Sequence, residues 1–67
     1  MSDTSPAAPD LDEQLKEQLL GAERSAADAC RAFADGDRAS ATLHLVNALI
    51  FTETADSITE QMKEHQP

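Results

Sequence analysis

Apolar side chains recur at helical spacing in two long runs of this chain, with one break between them. In the first run they follow Leu11 at Leu15, Leu19, Ala22, Ala26, Ala29 and Phe33. From Leu15 the steps alternate four and three, the heptad spacing that gives a helix one apolar stripe. Asp10 follows Pro9 and stands three residues before Glu13, the spacing of a capping box with Asp in place of Ser or Thr. Asp12, Glu13 and Glu17 fall in the first turns, where acids complement the positive end of the helix dipole. The pattern predicts a helix over about 11–34.

The break is Phe-Ala-Asp-Gly-Asp-Arg at 33–38. Gly36 suits the left-handed conformation that closes a helix, and Asp37 suits the cap of the next. A turn is therefore expected at 35–37 and a second helix over about 38–64, with no proline inside either helix. Residues 1–9 have no period and read as a flexible tail, and 65–67 as a frayed end. So short a connection makes the helices antiparallel, an all-α two-helix hairpin occupying 10–64. In that arrangement Ala22, Ala26 and Ala29 are expected across from Ile50, Val46 and Leu43 or their neighbours. Leu15 and Leu19 are expected near Ile58, Phe51 and Ala55.

The second helix is apolar on nearly every side over residues 41–51, a stretch without a formal charge. On a helical wheel, Ala48, Phe51, Ala55, Ile58 and Met62 share one sector with His44. Ala39, Leu43, Val46 and Ile50 share a second, and Leu45 and Leu49 occupy a third. Along the chain that third line becomes Glu53, Asp56, Glu60 and Glu64, a ladder of acids. One neighbouring helix cannot cover three sectors, and an uncovered apolar patch marks an interface. The expected answer is a homodimer in which two hairpins form a four-helix bundle. The competing answer is a second protein with a basic or apolar surface, docked beside the acids. The interface residues are expected to be Leu43, Leu45, Val46, Leu49, Ile50, Glu53 and Asp56.

Size strengthens this expectation. A chain of 67 residues with one cysteine, Cys30, has no internal disulfide to supplement a small core. The start of the sequence lacks the basic and apolar regions of a signal peptide. The longest stretch without formal charge, 39–52, is shorter than the roughly 20 apolar residues of a membrane span. A soluble, cytoplasmic protein is expected, without membrane contact. Thirteen acids against five bases give a formal charge of −8, and the bases are scattered singly. That argues against direct nucleic-acid binding, which draws on clustered Lys and Arg.

Candidate chemistry is sparse. No nucleophile elbow, P-loop, His-Glu-x-x-His or Cys-x-x-Cys occurs, and neither catalysis nor a cofactor is expected. Cys30 and His44 are the one pair of soft metal ligands, on separate helices, and a two-fold dimer would bring together two of each. A metal-binding or redox protein on a helical-bundle dimer is accordingly the alternative to an interaction module. Glu23, Glu53, Glu60 and His44 invite comparison with carboxylate-bridged di-iron bundles. No Glu precedes a His by three, however, as those sites require. Asn47, between the apolar sectors, is either a buried residue that fixes oligomer state or a rim position.

The stretch Phe-Ala-Asp-Gly-Asp-Arg-Ala-Ser-Ala-Thr-Leu-His-Leu-Val-Asn-Ala-Leu resembles the second half of a tetratricopeptide repeat. The matching residues are Phe33, Gly36, Asp37, Ala41, Leu45, Ala48 and Leu49. The first helix lacks the repeat's Trp and Leu-Gly pattern, Glu53 stands where its closing proline falls, and no second repeat follows. The resemblance implies peptide or protein binding. Periodicity and resemblance thus lead to one expectation: a small acidic interaction module serving as adaptor, inhibitor or regulatory subunit.

Overall fold

The computed structural model describes residues 10–64; the expected tail at 1–9 and frayed end at 65–67 lie outside the described residues. Two helices pack against each other as an all-α hairpin, α1 at Leu11–Ala34 and α2 at Arg38–Glu64. Each start is capped by an aspartate. Asp10 accepts a hydrogen bond from the Glu13 amide at 3.2 Å, and Asp37 accepts one from the Ser40 amide at 3.0 Å. Between them Gly36 takes φ 81°, and the chain closes α1 with a Schellman motif. The Asp37 amide donates to the Ala32 carbonyl at 2.9 Å, and the Gly36 amide to the Phe33 carbonyl at 3.0 Å.

The inward stripe of α1 runs through Leu11, Leu15, Gln18, Ala22, Ser25, Ala29 and Ala32, all buried or half-buried. It keeps the expected heptad spacing in a different phase. Leu15, Ala22 and Ala29 face inward as expected, whereas Leu19, Ala26 and Phe33 are exposed and Gln18, Ser25 and Ala32 take their places. On α2 the inward stripe is Ala41, His44, Ala48, Phe51, Ala55, Ile58 and Met62. The expected pairing of α1 alanines with Ile50, Val46 and Leu43 is therefore replaced, because those three residues are exposed.

The physical reason lies at Gly21. A Cβ placed there would stand 2.5 Å from the Phe51 ring, so the aromatic lies directly over bare backbone. Only a rotation of α1 toward the Gly21 side opens that slot. The same contact sets the register of the antiparallel pair, leaving Leu15 level with Ile58 at the open end. Small residues, Ala29 and Ala41, fill the seam near the turn. Ile58 is the one large side chain in the buried core, at 4% exposure.

Two predictions follow from these contacts. Gly21→Ala adds about 1 kcal/mol of helix propensity but drives a methyl into the Phe51 ring, an overpacking that costs about 1–3 kcal/mol. Denaturant unfolding should show a net loss of about 1 kcal/mol, and Phe51→Leu in the same chain should remove most of the Gly21→Ala penalty. At Asp37, hydrogen bonds from the Ser40 amide and hydroxyl, with a smaller contribution from nearby His44, hold the carboxyl below its ordinary range. A depressed folded-state pKa contributes stability above the unfolded value, and that contribution is lost as pH falls through the folded one. The stability difference between the parent and Asp37→Ala should thus be largest near neutral pH. It should shrink as pH falls below about 4, read from thermal melts followed by circular dichroism.

Candidate protein-interaction surface

A hairpin of two helices has one seam and no enclosed interior. The described residues form two helices that pack side by side, with no third element above or below them. Everything off the seam consequently meets solvent. Among the described residues eight large apolar side chains are exposed: Leu19, Leu20, Phe33, Leu43, Leu45, Val46, Leu49 and Ile50. Full burial of such a side chain is worth about 1.5–3 kcal/mol, so each one left half in water forgoes about 1 kcal/mol. Together they exceed the roughly 3–5 kcal/mol that a core of this size supplies.

These side chains fall on distinct surfaces. Residues two apart on a helix differ by about 200° of rotation, so Leu45 and Leu43 project from opposite sides of α2. Leu45 lies on a broad face built by both helices. There it lines an open, wholly apolar groove of about 290 Å³ with Ala26, Ala29, Cys30, Phe33 and Ala41. Leu19, two turns before Ala26, and Leu49, one turn after Leu45, continue this face. Phe33 stands at the groove's edge with 67% of its surface exposed. Thr52 adds no unmet polar group to the face, because its hydroxyl donates to the Ala48 carbonyl of its own helix at 2.8 Å.

The second surface is narrower. Leu43, Val46 and Ile50 form a stripe one helix wide on the other side and back of α2. The adjoining flank of α1 carries Glu17, Arg24 and Asp28 in place of apolar residues, with Asp28 ion-paired to Arg31. The seven expected interface residues are all exposed, and they are divided between these surfaces. Leu45 and Leu49 belong to the broad face, while Leu43, Val46 and Ile50 belong to the stripe. Glu53 and Asp56 extend the line of Leu45 and Leu49 toward the open end, and neither makes an ion pair among the described residues. Glu60, further along, pairs with Lys63 at 3.6 Å.

Leu19, Ala26 and Phe33 were expected in the seam and instead enlarge the surface. Their signal was present in the sequence as apolar heptad spacing, but only the packing of Phe51 on Gly21 shows which way it points. Asn47 is exposed in the single hairpin. The two soft ligands stand in different settings: Cys30 is exposed on the broad face and His44 is half-buried in the seam. Among the described residues no three His, Cys, Asp or Glu side chains converge as a metal site. No helix among them is long and apolar enough to cross a membrane.

Compared with protein-family models, with curated proteins and with solved structures, the chain matches none. The tetratricopeptide-like stretch at 33–49 shares the helix–turn–helix connection. Its Phe33, Leu45 and Leu49 lie exposed.

Proposed function

We propose that this chain is a small acidic, non-catalytic protein-interaction module whose working surface surrounds the first half of α2. One observation carries the reading. In a hairpin of two helices, eight large apolar residues among those described lie exposed outside the seam, while the fully buried positions are small residues and Ile58. The first occupant of that surface is a second copy of the chain, giving a homodimeric four-helix bundle. Apolar surface left over after pairing, beside Glu53 and Asp56, is where a second protein with a basic or apolar surface would dock, as an adaptor or regulatory subunit requires.

Charge sets the conditions under which pairing occurs. Each copy carries a formal −8, so two copies repel one another until salt screens them. Sedimentation across a dilution series should show a dimer–monomer equilibrium that tightens as salt is raised, with a melting temperature that rises with protein concentration. Leu45→Glu together with Leu49→Glu should shift the mass to the monomer. A parent that stays monomeric throughout, with a melt independent of concentration, would remove the second copy as occupant. A double variant that assembles and melts like the parent would remove Leu45 and Leu49 from the interface.

A further inference from the structure

We infer that the second copy docks on the broad face of Ala26, Cys30, Phe33, Leu45 and Leu49, leaving the Leu43–Val46–Ile50 stripe outside the dimer seam. The inference rests on the self-association proposed above and selects between two surfaces that both expose large apolar residues.

Three observations favour the broad face. The first is width. A face contributed by both helices presents two apolar lines, which is what a four-helix bundle asks of each hairpin. The second is self-complementarity. A two-fold interface uses the same patch on both partners, so that patch must carry both a projection and a recess to receive it. Phe33 is the projection, and the adjoining groove floored by Ala29 and Ala41 is the recess. An apolar cavity of about 150 Å³ suffices to hold benzene, so an open groove of about 290 Å³ has room for the partner's phenyl ring.

The third observation is charge. The residues of this face around the groove, Ala26, Cys30 and Phe33 on α1 and Leu45, Leu49 and Thr52 on α2, are uncharged; Glu23 stands on the same line between Leu19 and Ala26, and Arg38 and Asp56 lie at the two ends of the α2 line. On the other side, a second hairpin laid over Leu43 and Ile50 would also cover Glu17, Arg24 and Asp28 of α1. Burying those ions costs more than their pairing returns. The narrow stripe therefore suits a single helix at most, and the broad face suits a hairpin.

The chain contains its own reporter. Cys30 is the one thiol, and it lines the groove. Its reaction rate with a small aromatic disulfide reagent should fall as the parent is concentrated from below to above the dimer dissociation constant. At about ten times that constant, mass action leaves about a fifth of the chains monomeric, so the rate should fall about fivefold. Phe33→Glu, at a site two-thirds exposed in the hairpin, should remain helical by circular dichroism and become monomeric, with its thiol reactive at all concentrations. Val46→Glu should keep both the dimer mass and the thiol protection. A parent that is dimeric by sedimentation while Cys30 reacts at the monomer rate would overturn the choice of face and leave self-association standing. Loss of the dimer in Val46→Glu with its retention in Phe33→Glu would do the same. A parent that never dimerises would instead overturn the self-association reading on which this inference rests.

Discussion

The contact between the Phe51 ring and the backbone of Gly21 decides the rotation of α1 about its own axis. Everything else about the surface depends on that rotation. With Phe51 seated on bare backbone, Gln18, Ser25 and Ala32 turn inward, and Leu19, Ala26 and Phe33 turn out beside Leu45 and Leu49. A few tens of degrees the other way would have closed the apolar residues of α1 into the seam and left the aromatic without a slot. One glycine in the middle of a helix, unfavourable for helix formation by itself, thus determines which apolar residues of α1 are exposed.

The consequence is an unusual division of side chains. The fully buried part of the seam is alanines, Ser25 and one isoleucine, with Leu11, Leu15, Phe51 and Met62 half-buried along it, while eight large apolar side chains of the described residues, Phe33 among them, lie outside it. Small residues bring two helices close, and close approach gains dispersion contacts. It removes little apolar area from water, however, and the area term dominates folding. Helices in water draw most of their stability from such packing, with propensity a minor contributor. For α2 the missing packing is concentrated between Leu43 and Ile50, where the helix is apolar on sides that α1 cannot reach.

Local features of this arrangement were legible in the sequence. Asp10, Asp37 and Gly36 each act within three or four residues, so caps, turn and helix limits follow from spacing and backbone chemistry alone. The uncovered character of residues 41–51 was legible too, since no single neighbour encloses a helix that is apolar all round. The phase of α1 was not. Leu15, Ala22 and Ala29 fit a stripe that leans to either side, and the choice falls between Leu19, Ala26 and Phe33 on one flank and Gln18, Ser25 and Ala32 on the other. Hydrophobicity favours the first set. The second is chosen because it admits a ring from a residue 30 positions away along the chain, a long-range fit that no periodicity encodes. For the same reason the expected patch, read as one surface, divides into two.

That division links folding to association. If a second layer covers Phe33, Leu45 and Leu49, the area it removes from water stabilises the same helices that form the seam. Burial inside one chain and burial between chains are then the same free energy counted at different concentrations. The formal charge of −8 opposes both compaction and pairing. It lies mainly on the outer face of α1 and on the later turns of α2, away from the uncharged middle of the broad face. Charge is therefore distributed over the periphery, and the exposed apolar area over the broad face and the narrower stripe. Such a distribution disfavours indiscriminate aggregation through the charged sides while leaving the apolar surfaces uncovered.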